Sequence, residues 1–235
     1  MPTAQPVRPR NRLLAQLPAA EFHRLEEWLK PIKLPVRYPI FKPAGNIDYV
    51  YFLESGVASA VAYVANGASI EVATVGNEGM LGVPALLAAA ASPNEVYMQV
   101  AGHGLQMPSA ALRKLAGVGT PIYETLSKYL AAYLFQISQA VACNGLHAIK
   151  QRCCRWLLMT HDRVGTDELQ LTHEFLGIML GVRRASVTEV LQPLQDSGLI
   201  GAQRGVITIR DRPGLQEQSC ECYRLVADEY VRLLG

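Results

Sequence analysis

Apolar positions change their spacing along the chain and divide it into regions of different predicted structure. Between residues 32 and 107, short runs of β-branched and aromatic residues alternate with Gly, Pro and Asn. This pattern is typical of short antiparallel strands, and Asn66-Gly67 is its strongest hairpin signal. Elsewhere the apolar positions recur every three or four residues, which predicts helices. We therefore expect an α+β fold whose N-terminal part is an antiparallel, jelly-roll-like β-roll.

Helices are predicted on both sides of the β-roll and once within it. Residues 13–30 form one amphipathic helical pattern, whereas the residues before Arg12 are Pro- and Arg-rich and are expected to be disordered. A Leu- and Ala-rich segment at residues 78–91 predicts a helix between two strands. After the roll, helical patterns cover residues 121–144 and 146–160, and Pro213-Gly214 introduces a last helix that reaches Leu234.

The helix predicted at residues 121–144 carries an apolar seam with alternating steps of four and three residues. The seam consists of Leu126, Leu130, Tyr133, Ile137 and Ala140. A seam of about three heptads is too short to be stable alone, but it can join two subunits that already touch. We expect this helix to form the dimer interface. The alternative is that the same face packs on the β-roll of its own chain.

Asn144-Gly145 follows this seam and predicts a break in the helix, a hinge and a domain boundary. A chain of 235 residues with 50% hydrophobic composition is long enough to bury two cores. We expect a β-roll sensor domain at residues 12–120, a dimerisation helix and hinge at residues 121–145, and a C-terminal domain at residues 146–235.

Residues 171–200 have the pattern of a helix-turn-helix. In the first helix Thr172 is a suitable N-cap, and Gly181 ends the helix because glycine enters left-handed conformations without a steric penalty. The second helix collects apolar residues on one side, namely Val187, Val190, Leu191 and Leu194. Its opposite side shows Arg184, Ala185, Thr188, Glu189 and Gln192. Such a polar face is expected of a helix that reads base edges in DNA.

Two β-rich pieces follow the second helix at residues 199–208. They are separated by Gln203-Arg204-Gly205, which predicts a tight turn. This segment is expected to form a two-stranded wing, so that the C-terminal domain becomes a winged helix-turn-helix.

At these residues the chain resembles the Crp/Fnr family of bacterial transcription regulators, and the resemblance extends over nearly the whole chain. The shared positions are Thr172, Leu176, Gly177, Leu180, Gly181, Val187, Val190, Leu191, Leu194, Gly198, Leu199 and Ile200. The resemblance implies a homodimer that binds a palindromic operator in double-stranded DNA and acts with RNA polymerase. The implied DNA-binding residues are Thr172, Arg183, Arg184, Ala185, Ser186, Thr188, Glu189 and Arg204.

The resemblance also implies how this chain differs from its relatives in reading DNA. Arg184 stands at the base-contacting arginine of the family, whereas Ala185 replaces a glutamate and Glu189 replaces a later arginine. These replacements remove hydrogen-bonding groups that would read particular bases, so we expect a different operator. Phosphate contacts, which position the helix without specifying sequence, are expected from Thr172, Arg183 and Arg204.

Composition alone does not indicate a nucleic-acid partner. Lys and Arg number 22 against 20 Asp and Glu, and the residues after Asn144 contain eleven of each kind. The DNA argument therefore depends on where the arginines lie. The N-terminal sequence MPTAQPVRPRNR is not followed by a long apolar stretch, so we expect no signal peptide, no membrane span and a cytoplasmic protein.

The sensor resemblance does not extend to the site for cyclic AMP. In members that bind this nucleotide, a Gly-Glu pair and a later arginine hold the ribose and the phosphate. Here Val83 follows Gly82, no arginine lies between Lys42 and Arg113, and Glu95 would repel a phosphate. We expect an effector other than cyclic AMP. The candidate pocket residues are Met80, Leu81, Gly82, Val83, Tyr97 and Gln99.

No cofactor is identified from the sequence, and no metal ligands are assigned. Iron–sulfur sensors of the family carry clustered N-terminal cysteines, whereas the first cysteine here is Cys143. Haem would need an axial ligand such as His23 or His103. The five cysteines lack the spacing of a secreted disulfide framework, and we interpret them as reduced thiols. A metal or redox site is the alternative, formed by Cys153, Cys154, Cys220 and Cys222.

Catalytic motifs are also missing from the sequence. Gly-rich phosphate loops, HExxH and GxSxG do not occur, so we do not expect an enzyme. The alternative function is a ligand- or redox-sensing protein whose C-terminal domain is a protein-interaction module. An interaction surface would present aliphatic or aromatic anchors, whereas the second helix presents polar groups, which favours DNA.

Overall fold

A computed structural model describes residues 9–235 of the chain. Its helices are α1 (Arg12–Gln16), α2 (Ala19–Glu26), α3 (Ser109–Leu115), α4 (Pro121–Leu146), α5 (Ile149–Val164), α6 (His173–Leu180), α7 (Arg184–Asp196), α8 (Arg212–Glu217) and α9 (Cys222–Leu234). Its strands are β1 (Lys30–Leu34), β2 (Pro39–Phe41), β3 (Tyr49–Leu53), β4 (Val57–Tyr63), β5 (Ser69–Val75), β6 (Met80–Leu81), β7 (Glu95–Val100), β8 (Gly102–Pro108), β9 (Glu168–Gln170), β10 (Ile200–Gln203) and β11 (Val206–Ile209).

The N-terminal half is the predicted β-roll, and the α+β fold is confirmed. One sheet has the strand order β1-β8-β3-β6 and the other has the order β2-β7-β4-β5, with antiparallel pairing throughout. Asn66-Gly67 lies in the turn that joins β4 to β5, where Asn66 Oδ1 accepts the Ala68 N–H at 2.9 Å. Gly67 has a φ of +84°, which explains why glycine occupies this position.

Two predicted helices of the N-terminal half take a different form. The helix expected at residues 78–91 is replaced by β6 and a 3₁₀ helix at Val83–Leu87, because Gly82 and Ala88 adopt left-handed conformations at its two ends. The single helix expected at residues 13–30 is two helices, α1 and α2. Leu17 is extended because the following Pro18 disfavours a helical conformation at the residue before it.

Disorder was predicted for the residues before Arg12. Residues 1–8 lie outside the described part of the chain, and at Asn11 the prediction is wrong. Asn11 is fully buried, and its Nδ2 donates to the carbonyl oxygens of Leu53 at 3.0 Å and Gly79 at 2.8 Å. Its Oδ1 accepts the N–H of Leu14 at 3.2 Å and thereby caps α1. The chain is tied to the roll from this residue onward.

Helix α4 packs along the β-roll and continues past the predicted break. It runs through Gly145 to Leu146, because a single glycine costs a helix only about 1 kcal/mol. Tyr129 is fully buried against Gly79 and donates a hydrogen bond to the Met80 carbonyl at 3.0 Å. A side chain at Gly79 would collide with the Tyr129 ring, so α4 and the start of β6 approach as closely as the backbone allows.

The C-terminal part contains the predicted helix-turn-helix, α6 and α7, and a small sheet. The wing is not two-stranded as predicted, because β9 adds a third strand in the order β10-β11-β9. The last predicted helix is also divided, into α8 and α9, and the intervening residues 218–221 are irregular. Helix α9 packs along α4, so the end of the chain returns to the helix that follows the roll.

The two parts of the chain share one continuous hydrophobic core. Helices α5 and α6 pack on the outer face of the sheet that contains β4, β5 and β7. Trp156 Nε1 donates to the Glu71 carboxylate at 2.7 Å, and Arg163 forms a buried ion pair with Glu78 at 2.8 Å. Gln99 of β7 adds a hydrogen bond, in which its Nε2 donates to the Thr160 hydroxyl at 3.3 Å. Polar groups of the roll are thus paired with polar groups of the C-terminal part.

Candidate DNA-binding surface and effector cavity

Local chemistry explains the turn between α6 and α7. The hydroxyl of Thr172 accepts the Phe175 N–H at 3.1 Å and caps α6, as predicted. Gly181 ends α6 with a φ of +63°. A Cβ at Gly177 would lie 2.9 Å from the Val182 carbonyl oxygen, so only glycine lets the chain pass this close to α6. The turn therefore depends on glycines at both positions.

Helix α7 presents one apolar and one polar face. Val187, Leu191 and Leu194 are fully buried, and Val190 is half-buried against the same core. The other face is exposed, and it carries Arg184, Ala185, Thr188, Glu189 and Gln192. The predicted division of the helix is therefore present in the structure.

The polar face of α7 is joined to the start of α6. Thr188 Oγ1 donates to the Arg184 carbonyl at 3.3 Å and lies 2.9 Å from His173 Nδ1. His173 was not predicted as a site residue, although it follows the Thr172 N-cap directly. This contact holds Thr188 at the junction of the two helices, where its hydroxyl is already partly satisfied.

The wing brings Arg204 to the same surface. Arg204 and Gly205 have φ values of +45° and +84°, as in the type I′ turns that join short hairpins. A Cβ at Gly205 would lie 3.6 Å from Thr172 Cγ2, so the tip of the wing touches the N-terminus of α6. Two residues expected to hold phosphates, Thr172 and Arg204, thus lie close together.

The N-terminus of α7 offers groups that suit an anion. Arg183 is its exposed N-cap residue, and neither a side-chain cap nor an acidic residue occupies its first turn. The free N–H groups and the helix dipole favour negative charge at this end. Ser186 is half-buried in the first turn.

Helix α7 also continues through Pro193, which cannot donate the hydrogen bond that the Glu189 carbonyl would otherwise accept.

A cavity of about 210 Å³ lies between the β-roll and α4. Four of the six predicted pocket residues line it, namely Met80, Leu81, Gly82 and Val83. Tyr97 and Gln99 do not, because side chains alternate between the two faces of β7 and Val96 is the residue that points into the cavity. Gln99 accepts a hydrogen bond from Ser59 of β4 at 2.7 Å, and it faces the C-terminal part, where it donates to the Thr160 hydroxyl.

The cavity is predominantly apolar. Among residues 9–235, no Lys, Arg, Asp or Glu side chain lines it. Its walls come from the roll, including Phe41 and Val96, and from α4 through Leu130, Tyr133 and Ile137. Three residues of the predicted dimer seam therefore contribute to the cavity wall. The other two seam residues, Leu126 and Ala140, are buried within the protomer.

Of the two histidines considered as haem ligands, His103 lines a cavity of about 780 Å³ between α2 and the roll, and His23 does not. His23 is exposed on α2, and the exposed His103 lies 2.8 Å from the Ser55 hydroxyl. The cysteines are also arranged differently from the set considered in the sequence. Cys153 and Cys154 are buried in α5, whereas Cys220 and Cys222 lie beside Cys143 and His147. Burial raises the pKa of the Cys154 thiol to about 11, which keeps it protonated at neutral pH.

Between residues 9 and 235, no helix combines the length and the apolar character needed to cross a membrane.

Comparison with known proteins agrees with this geometry. The family model described as the Crp-like helix-turn-helix domain matches residues 151–218, which include α6, α7 and the wing. No curated protein matches the sequence significantly.

Solved structures match over most of the chain. FixK2 from Bradyrhizobium japonicum is 17% identical with a TM-score of 0.70, covering 82% of this chain and 98% of its own. A Crp/Fnr-family regulator from Eubacterium rectale is 19% identical with a TM-score of 0.68, covering 87% and 97%. The c-di-GMP-responsive regulator CLP from Xanthomonas campestris is 16% identical with a TM-score of 0.68, covering 82% and 99%.

At these identities the solved structures establish the fold, and the family model establishes the nature of the C-terminal domain. Residues 151–218 therefore match a Crp-like helix-turn-helix domain, and the chain as a whole has the fold of FixK2 and of the Crp/Fnr-family protein from Eubacterium rectale.

Proposed function

We propose that the protein acts as a homodimer that reads a palindromic DNA operator through α7. The observation that carries this proposal is the continuous surface formed by the polar face of α7, the N-terminus of α6 and the tip of the wing. A helix of this kind enters the major groove, while flanking groups hold the phosphates. Two copies related by a two-fold axis would read the two half-sites. The resemblance further suggests RNA polymerase as a partner and the cytoplasm as the location.

We assign base reading to α7 and phosphate binding to its surroundings. Arg184 is exposed in the first turn of α7, where its guanidinium can donate to the O6 and N7 atoms of a guanine. Glu189 is exposed one turn later and can accept from a cytosine N4 amine. Ala185 between them offers only a methyl group. Phosphates are assigned to Thr172, Arg183, Ser186 and Arg204, and Thr188 supports the surface through His173.

Substitution of Arg184 by Ala should lower affinity for the preferred operator by about 1–3 kcal/mol, because one bidentate contact to a base is lost. The preference should become flat at one base pair of each half-site. Selection of bound sequences from a random pool, with wild type and variant side by side, measures both effects. A variant that selects the wild-type motif would show that Arg184 contacts a phosphate or serves only the fold.

Arg204→Ala is the matched control for this experiment. Arg204 lies on the wing and is assigned to a phosphate, so its loss should weaken all sequences alike. The dependence of the logarithm of affinity on the logarithm of salt concentration should become shallower by about one unit. A change in the selected motif with this variant would mean that the wing reads bases.

We further propose that the cavity between the roll and α4 binds an uncharged, largely apolar effector. The apolar lining supports this, because a phosphate buried there would lack a cationic partner. The cavity also touches β6 and α4 together, so a bound molecule could change how α4 packs on the roll. In this way an effector would reach the helix that we assign to dimerisation.

Calorimetric titration with cyclic AMP should therefore give no saturable heat at millimolar nucleotide. The physical reason is that the cavity offers neither an arginine nor a ribose-binding carboxylate, since Val83 occupies the position after Gly82. Binding stronger than about 10 µM, worth roughly 7 kcal/mol, would disprove this account of the cavity.

A further inference from the structure

Four side chains meet where the end of α4 approaches the beginning of α9. Cys143 and His147 come from α4 and its C-cap, Cys220 precedes α9, and Cys222 is the first residue of α9. One sulfur or nitrogen atom from each residue lies within 4.8 Å of those from the other three. The three cysteines are buried, at 0–2% exposure. This cluster is separate from the cavity and from the α7 surface.

The distances in the cluster are close to those of a tetrahedral ion site. Sulfurs bound to one Zn²⁺ at about 2.3 Å lie about 3.8 Å from each other. Cys143 Sγ and Cys220 Sγ are 3.4 Å apart, and Cys222 Sγ is 3.7 Å from His147 Nδ1. An iron–sulfur cluster would have to fit its own iron and sulfide atoms between these ligands and would need a wider cage. The geometry suits a single ion.

The second nitrogen of His147 is held in the way that metal-bound histidines require. Its Nε2 lies 3.2 Å from the Glu221 carboxylate, which can accept the Nε2–H hydrogen bond. That hydrogen bond fixes the tautomer in which Nδ1 presents its lone pair to the cysteines. Glu221 stands between the two cysteines of the Cys-Glu-Cys sequence, so one short segment supplies two sulfurs and the orienting carboxylate.

Two arginines of α5, Arg152 and Arg155, lie close enough to the cluster for their charges to act on Cys143. Arg152 and Arg155 are buried at 8% exposure, and neither forms an ion pair with a carboxylate within residues 9–235. The Nε atom of each also lacks a hydrogen-bond partner there. A Zn²⁺ ion with three thiolates carries a net negative charge, which would offset such buried cations.

We propose that Cys143, His147, Cys220 and Cys222 form a Cys₃His site for a single Zn²⁺ ion. Four protein ligands close the coordination sphere, which is typical of a structural rather than a catalytic zinc site. Binding joins the thiolate sulfurs and Nδ1 to the ion, and protonated thiols release their protons to solvent. The ion would tie the end of α4 to the start of α9, on opposite sides of the helix-turn-helix in sequence.

The test uses the full-length reduced protein without an affinity tag, titrated with Co²⁺ as a spectroscopic substitute for Zn²⁺. We expect one equivalent per chain, thiolate-to-cobalt charge-transfer absorption and the intense visible bands of tetrahedral Co²⁺, all lost on adding Zn²⁺. Cys143→Ser and Cys220→Ser should each weaken or abolish these bands. Cys154→Ala, which removes a buried cysteine outside the cluster, is the matched control and should leave them unchanged.

Glu221→Gln keeps the test valid if the cysteine variants do not fold, because Glu221 is largely exposed. This variant should retain one tetrahedral Co²⁺ but bind it about 10–100-fold more weakly. Absence of thiolate–cobalt absorption in the reduced wild type would overturn the proposal. So would full binding by Cys143→Ser, or a wild-type protein isolated without metal and with a Cys143–Cys220 disulfide.

Discussion

Glutamate at both Leu134 and Val141 should make the protein monomeric and reduce operator affinity by about a thousandfold or more. That factor is the usual gap between specific and non-specific binding, because a single half-site supplies too few contacts for specific recognition. Sedimentation at micromolar protein concentration measures the association, and a fluorescence-anisotropy titration with operator DNA measures the affinity. The prediction rests on our proposal that the protein binds DNA as a dimer through α4.

The choice of residues follows from the faces of α4 in the structure. The seam predicted from the sequence is divided, because Leu126 and Ala140 are buried within the protomer and the remaining residues are half-buried at the cavity. Leu134 and Val141 follow the seam residues Leu130 and Ile137 by four positions, and they are 55% and 71% exposed. Leu134 also contributes to the wall of the cavity, whereas Val141 does not. Exposed apolar side chains seven residues apart on one long helix are suitable for contact with a second copy.

The exposure of these residues also makes the experiment interpretable. A glutamate placed at an exposed position costs the isolated protomer little, so the far-UV circular dichroism should be unchanged. Val64→Glu is the matched control, since Val64 is 59% exposed at the β4–β5 turn, far from α4 in sequence. A double variant that still sediments as a dimer would exclude this face of α4 as the interface.

Glu71→Gln should stabilise the protein at pH 8 relative to wild type and leave its stability near pH 4.5 almost unchanged. Glu71 is 9% exposed on β5 and receives the Trp156 Nε1–H bond, while its second oxygen has no hydrogen-bond partner among the described residues. Burial raises the pKa of this carboxyl to about 7, although Trp156 and the charges of Arg155 and Arg163 oppose the shift. Glutamine keeps an acceptor for the indole and cannot ionise.

The sign of the pH effect follows from proton binding. Between the unfolded pKa of 4.5 and the folded pKa of about 7, the folded protein holds a proton that the unfolded chain has lost. Stability contributed by this group is therefore complete below pH 4.5 and is lost as the pH rises through 7. The folded and unfolded pKa values differ by about 2.5, which corresponds to about 3 kcal/mol in the free energy of unfolding.

Urea denaturation at a fixed protein concentration, at pH 5 and at pH 8, measures this difference. Glu168→Gln is the control, because Glu168 is an exposed carboxyl on β9. We expect the stability advantage of Glu71→Gln to grow with pH and that of Glu168→Gln to stay constant. Parallel pH profiles for Glu71→Gln and wild type would contradict the assignment of a buried, protonated carboxyl between the roll and α5.

Several elements could be predicted because their causes are local. Thr172 and Gly181 delimit α6 through a cap and a left-handed residue, and Asn66-Gly67 forms a hairpin turn for similar reasons. The burial of Val187, Leu191 and Leu194 follows from their spacing on one helix. Such features require only neighbouring residues, so one sequence is sufficient to find them.

Other features were predicted in part because the pattern has more than one solution. The alternation of side chains along a strand such as β7 can be predicted from the sequence. Which of the two faces points into the roll cannot be predicted in this way, and Tyr97 and Gln99 lie on the face of β7 that points away from the cavity. In α4 the apolar residues cover more than one face. Only the packing of Tyr129 and Gln136 on the roll shows which face remains available to a partner.

The sequence by itself determined the α+β fold, the helix-turn-helix and the polar face of α7, because periodicity, caps and turn residues act over a few positions. The tertiary structure decided the contacts between distant segments. It brought Cys143 to Cys220 across 77 residues, placed Glu71 against Trp156 across 85, and joined His173 to Thr188 between two helices. These pairings depend on how α4, α5, α6 and α9 pack on one another and on the roll, and packing is a property of the whole core rather than of any local pattern.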